Sequence, residues 1–292
     1  MDLYNQKNKK LSQIESKSFN VEKDIQTIVE ENTQELFNID FVSSEFSLND
    51  FRIDSLCYDE ENNSFVIIEY KKGKSYSVID QGYSYLSLML NNKSDFILEY
   101  NENKKNNLKR DDVDWSSSRV IFLSPSFNIY QKNSVNFKDI PFELWEIKRY
   151  TNNMISLNQH LPSSKESIQK LEGTKDSVIK DVGKEVKVFT EEDHLIENKE
   201  RHHSSTTPDP EIKELYFKYK EIILNNFENS RIKPMTTYIG FCIDKKNFCD
   251  FTLYKSHLRI TLGLKKGDLV DNNELCRDVS EIGHWGNGDY QI

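Results

Sequence analysis

The sequence predicts an α/β (α+β) fold, with a mixed sheet flanked by helices and then a small C-terminal α+β domain built on an antiparallel meander. Three observations carry that expectation. Between residues 20 and 150, segments with apolar residues at helical spacing alternate with short β-branched and aromatic runs. Residues 158–208 turn polar, as a linker with one or two short helices does. At Asp209-Pro210 a new helix starts, and three closely spaced strand-like runs follow it. The expected boundaries are therefore 1–157, 158–208 and 209–292.

Taken in order, residues 1–18 are polar and are expected to fray. From Asn20 to Phe37 the apolar positions Val21, Ile25, Ile28, Val29, Leu36 and Phe37 suit one amphipathic helix with Asn20 as N-cap. Phe41 to Leu48 reads as a first strand containing Glu45, which can reach a site or face water. The runs FRIDSLCY and SFVIIEYK flank the polar connector Asp59 to Asn63, which is the composition of a β-hairpin. A helix from Ser77 to about Asn91 follows, with Val78, Ile79, Tyr83, Leu86, Met89 and Leu90 as its core stripe. Phe96–Tyr100, Arg119–Leu123 and Phe142–Arg149 read as further strands. The loop around Asn101–Asp114 carries Lys104, Lys105, Lys109 and Arg110, either as phosphate contacts or as an ordinary solvated loop. In the C-terminal part, Ile212, Leu215, Tyr216, Tyr219, Ile222, Ile223 and Phe227 give a helix one apolar face, and Thr237–Ile243, Asn247–Leu253 and Leu258–Leu264 form the meander. His202 and His203 have no partner at metal-ligand spacing and receive no role.

Composition narrows the function. A chain of 292 residues suggests about two domains. No apolar run approaches the ~20 residues of a membrane span, and MDLYNQKNKK lacks the apolar core of a signal peptide. A cytoplasmic protein without a membrane partner is expected. Four cysteines without a C-x-x-C pair read as reduced core thiols. A net charge of −9 argues against a generally basic, polyanion-binding surface. It leaves room for phosphate contacts made through a divalent ion and a local basic stripe.

The chemistry concentrates in the hairpin. If it is symmetric about Glu61 and Asn62, Asp54 faces Glu69 on the same side of the sheet, and like charges so placed destabilise the pair. Period-two alternation puts Lys71 on that face and turns Tyr70 to the other. Two carboxylates and a lysine at the end of the apolar strand Val66-Ile67-Ile68 suit a hard cation with a charge stabiliser beside it. An exposed ion cluster on a sheet edge is the alternative.

Asp54 followed by Glu69-Tyr70-Lys71 resembles the D…E-x-K core of the PD-(D/E)xK nuclease superfamily. Gln81 and Tyr85, at i and i+4, resemble the Q-x-x-x-Y signature of its RecB-like branch. The resemblance covers roughly residues 20–150, including RVIFLSPSFNIY, and implies a restriction-endonuclease-like sheet. It further implies Mg²⁺ or Mn²⁺ held by Asp54, Glu69, the Tyr70 carbonyl and Glu30, with Glu22 as second choice for the helix acid. Lys71 would orient water or stabilise charge, and Gln81 and Tyr85 would position substrate or Lys71. The implied activity is hydrolysis of DNA phosphodiester bonds, in restriction, anti-phage defence or DNA repair. A module that binds nucleic acid without turnover is the reading from another class, and a homodimer is left open. The segment Ile282 to Asp289 resembles the end of an uncharacterised domain found beside nuclease modules. Chains of that kind continue into a further helix, so a truncated or short domain is expected here. Its His284 and Trp285 either stack on a base or close a small core.

Overall fold

The structure is a computed structural model that describes residues 2–72, 77–164, 166–168, 177–196, 207–244, 246–282 and 287–292. Two units divide the chain, Met1–Lys187 and Val188–Ile292, and the division falls inside the stretch read as a linker. His202, His203, His284 and Trp285 lie outside the described residues.

The first unit opens with β1 (Leu3–Lys7) and β2 (Lys10–Ile14), an antiparallel hairpin, where fraying was expected. Its two-residue loop, Asn8-Lys9, has both residues at positive φ, 51° and 64°. That is the geometry whose twist matches the flanking strands. β3 (Ser16–Lys17) continues the chain to the main sheet. The single expected helix is two, α1 (Glu22–Glu30) and α2 (Thr33–Phe37), with a break at Glu31-Asn32. Asn20 is not the cap, because Val21 occupies that position and the Asp24 carboxylate accepts the backbone N–H groups of Asn20 and Val21 at 2.9 and 3.3 Å.

β4 (Asp40–Leu48), β5 (Phe51–Asp59) and β6 (Ser64–Tyr70) form an antiparallel meander, and the β5–β6 ladder runs from Ser55 opposite Ile68 to Asp59 opposite Ser64. This is the register of a hairpin symmetric about Glu61 and Asn62. β7 (Arg119–Ser124) and β8 (Phe142–Tyr150) extend the sheet in parallel, and β9 (Ile155–His160) returns antiparallel along β8. β3 pairs with Arg149 and Tyr150 of β8, beyond the point where β7 ends at Ser124.

Both faces of this mixed sheet are covered, so β6 is buried along its whole length. On one face α1 packs Ile25 and Val29 against Cys57, Val66, Ile68 and Tyr70. On the other, α3 (Val78–Asn91) and α4 (Lys93–Lys104) pack Leu86, Met89, Phe96 and Tyr100 against Leu56, Tyr58, Phe65 and Ile67. Ser77 caps α3 by accepting the Asp80 N–H at 3.3 Å. Phe96–Tyr100, expected as a strand, belongs to α4. Its two buried aromatics are four residues apart, which a helix places on one face and a strand does also.

In the second unit, α5 (Pro210–Asn226) begins at Asp209-Pro210 as expected. A sheet in the order β10-β11-β12-β13-β15-β14 packs on it through Tyr216, Phe241 and Phe251. Its strands are β10 (Ser230–Pro234), β11 (Ile239–Ile243), β12 (Lys246–Leu253), β13 (Leu258–Leu262), β14 (Arg277–Asp278) and β15 (Tyr290–Gln291). The expected meander is present, and β10, β14 and β15 enlarge it. Among the described residues no helix is long and apolar enough to cross a membrane. The four cysteines are thiols rather than disulfides, and three of them are buried.

Candidate functional site

Asp54 and Glu69 stand one position beyond the last paired residues of β5 and β6, where the two strands part. There the Tyr70 N–H, no longer used by a neighbouring strand on that side, donates to Asp54 Oδ2 at 3.0 Å. The Lys71 N–H continues the parallel ladder by donating to the Leu123 carbonyl at 2.7 Å, which fixes the direction of the lysine side chain. Lys71 Nζ lies 2.6 Å from Glu69 Oε1, and both side chains are buried. From α3, Gln81 donates to the same Oε1 at 2.7 Å and to the Tyr85 hydroxyl at 3.0 Å, while that hydroxyl donates to the Arg52 carbonyl at 3.2 Å. The helix is close enough for this because Gly82 has no side chain. A Cβ there would meet the Phe142 ring at 2.6 Å.

The charges are out of balance. Glu69 Oε1 has two donors, whereas Oε2 is buried without a hydrogen-bond partner among the described residues. Burial, and then the Glu69 carboxylate, push the Asp54 carboxyl up to about 7, and the Tyr70 N–H and Lys71 offset this only in part. Burial raises the Tyr85 hydroxyl as well, and the nearby Glu69 helps it keep its proton.

Asp54, Glu69, Lys71, Gln81 and Tyr85 are thus brought together at one end of the sheet. Glu30 is held elsewhere: its Oε1 accepts from Ser55 Oγ at 2.6 Å and from Gln26 at 2.8 Å, on the α1 face to which Tyr70 turns its ring. Ser55 also meets the Tyr70 hydroxyl at 3.0 Å. Glu22, the second choice, accepts the Lys72 N–H at 2.6 Å and so braces the backbone just after the motif. Glu45, at φ 56°, pairs with Lys23 and Arg52. Among the described residues, no three His, Cys, Asp or Glu side chains form a ready ligand set. Asp54 and Glu69 are the two carboxylates at this end that could hold a hard cation, which would need water or other oxygens to complete its shell.

The loop Asn101–Asp114 sits at the opposite end. Lys104 ends α4 and acts electrostatically on Glu60, and the Asp114 N–H donates to the Asn63 carbonyl at 2.7 Å. At that end Arg119 bridges Asp59 at 2.9 Å and Glu143 at 2.8 Å. Sequence reasoning missed Gln26, Ser55 and Arg119, because each meets partners from elements distant in the chain.

Comparison with known proteins gives three kinds of match. Residues 202–292 match a family model described as a domain of unknown function (DUF5655). Over 293 residues the chain is 44% identical to an uncharacterised protein of Haemophilus influenzae (strain ATCC 51907 / DSM 11121 / KW20 / Rd), covering 100% of this chain and 93% of that one. Among solved structures it is similar to an EndoMS–dsDNA2 complex, with 14% identity, a TM-score of 0.28, and coverage of 41% of this chain and 43% of the other. A repair endonuclease from Pyrococcus abyssi gives 16%, 0.24, 41% and 44%. SfsA of Pyrococcus furiosus in complex with Ca²⁺ gives 11%, 0.26, 52% and 76%. The chain spans less than half the length of the first two structures.

Proposed function

The chain belongs to one family with the uncharacterised Haemophilus influenzae protein, and we propose that it is a nuclease of the PD-(D/E)xK type, hydrolysing DNA phosphodiester bonds with Mg²⁺ or Mn²⁺. One observation carries this reading. A buried carboxylate oxygen, Glu69 Oε2, has no hydrogen-bond partner among the described residues, beside a second carboxyl that is pushed up to about 7. Burying uncompensated negative charge costs roughly several kcal/mol, and a divalent cation held by Asp54 and Glu69 would offset that cost. The Tyr70 carbonyl, between the acid and the lysine of the motif, is the third oxygen assigned to the ion.

When held by these oxygens, the ion would supply polarisation of the scissile phosphate and a lowered pKa for an attacking water. Gln81 holds Glu69 by Oε1 and leaves Oε2 for the cation. Tyr85 keeps Gln81 in place and is itself tied to β5 through the Arg52 carbonyl. Lys71 brings a fixed positive charge to the point where negative charge grows on the phosphoryl oxygens. Restriction, anti-phage defence and DNA repair are the settings in which such an activity serves.

The test is a digestion panel of single-stranded, duplex and branched DNA with Mg²⁺, with Mn²⁺ and with EDTA. The wild type should cut only with the metal, and Asp54→Ala or Lys71→Ala should lose about 10²-fold or more while keeping cooperative unfolding. Cleavage retained in both variants sinks the mechanism. No heat of Mg²⁺ or Mn²⁺ binding by calorimetry would leave a nucleic-acid-binding module without turnover.

A further inference from the structure

The N-terminal hairpin is a locally basic stretch of an acidic chain. From Leu3 to Ser18 it carries Lys7, Lys9, Lys10 and Lys17 against a single acid, Glu15, within a protein of net charge −9. Lys7 and Lys10 face each other directly across the strand pair, and Lys9 occupies the turn between them. Like charges so opposed destabilise a hairpin. None of the three forms an ion pair among the described residues, and all are exposed. Both strands are solvated along almost their whole length, so the ribbon is held by its own ladder and by the attachment of β3 to β8.

At the foot of this ribbon lies a cleft of about 650 Å³. Lys17, Lys72, Lys148 and Arg149 line it, against Asp2 and Glu15. Arg149 stacks on Phe19 at 4.8 Å and gives one N–H to the Ser18 carbonyl at 3.0 Å, while its Nε is buried without a hydrogen-bond partner among the described residues. Lys72 immediately follows Lys71. Lys72 Nζ donates to the Asn20 carbonyl before α1, so the cleft lies on the α1 face at the end of the sheet where β5 carries Asp54 and β6 carries Glu69, whereas the Lys104–Arg110 loop is at the other end.

We propose that the hairpin is a DNA-gripping arm. The Lys7-Lys9-Lys10 tip neutralises duplex phosphates flanking the cut, and the cleft lined by Lys17, Lys148 and Arg149 leads one backbone around the end of the sheet toward the Asp54–Glu69 site. A two-stranded β-ribbon has the dimensions to enter the major groove, and the ribbon's lysine face carries Asn5 and Ser12, which suit phosphate and sugar contacts. The direction of approach rests on the nuclease reading, while the grip itself does not.

The test measures binding apart from cleavage. Anisotropy of a labelled duplex is titrated with the full chain in EDTA across a range of NaCl. K7A/K9A/K10A should bind at least about tenfold more weakly and lower the slope of log K against log salt by roughly 2–3, since each lost phosphate contact removes about 0.9. The same variant should hydrolyse bis(p-nitrophenyl) phosphate with Mg²⁺ at the wild-type rate, and K7R/K9R/K10R should restore DNA binding. An unchanged affinity and salt slope in the alanine variant overturns the arm. Lysine-dependent binding by a wild-type chain that cuts nothing would keep the arm and remove the nuclease.

Discussion

The central sheet buries carboxylates at both ends and treats them differently. At the β5–β6 turn, Asp59 is met by Arg119 at 2.9 Å, by the Asn62 N–H at 3.0 Å and by the Asn62 side chain at 2.7 Å. The same guanidinium reaches Glu143, whose other oxygen accepts from Trp145 at 2.8 Å. At the open end, Asp54 and Glu69 share the charge of one lysine, and among the described residues one Glu69 oxygen has no hydrogen-bond partner. Buried acids that are fully answered by the protein hold a fold together. Acids answered only in part are where the proposed cation would complete the charge balance.

The largest effect that sharpens this contrast is expected at the satisfied end. Arg119→Ala should destabilise the first unit by about 3–5 kcal/mol in urea unfolding, because it strands Asp59 inside the protein. A loss below 1 kcal/mol would mean that this cluster is no more structural than the other. At the open end the sign reverses: Asp54→Asn should stabilise the metal-free protein by roughly 1–2 kcal/mol at pH 8, since it removes a repelling charge yet keeps an acceptor for the Tyr70 N–H. A destabilised Asn variant would break the comparison.

The same group sets a pH dependence. The folded chain holds the Asp54 proton up to about 7, above the ordinary value of 3.8. Between those values the native state binds more protons than the unfolded state, so Asp54 makes stability in EDTA fall as pH rises. Thermal melts of wild type and Asp54→Asn should therefore diverge across that window. Added Mg²⁺ should raise the wild-type melting temperature more at pH 8 than at pH 6, because the cation and the proton compete for the site. The smallest change is Gln81→Ala, expected to cost about 1 kcal/mol of stability for one lost hydrogen bond.

How much of this could be read in advance depended on whether the partners were local. The β5–β6 register was legible, because a symmetric polar connector between two apolar runs leaves one alignment that buries both. It carried Asp54, Glu69 and Lys71 with it. The grouping of Gln81 and Tyr85 was legible from their i, i+4 spacing. Phe96–Tyr100 was misread because its two aromatics satisfy both periodicities. The N-terminal hairpin escaped notice for the opposite reason: its strands face water on both sides, so no alternation marks them, and Asn8-Lys9 turns without a glycine. Asn8 before a second residue able to take positive φ was the one signal present. Arg119 and Glu30 could not be placed without knowing the strand order and which face α1 covers.

Gly82 has a further consequence. The spacing between α3 and the sheet is set where a missing methyl meets the Phe142 ring, and Gln81 rides on the helix one residue away. Any larger residue at 82 has to be matched by a smaller ring at 142, or the glutamine withdraws from its acid. Across relatives the two positions should therefore vary as a pair, although neither touches the carboxylates, and their joint history would record how closely this helix has been kept against the strands.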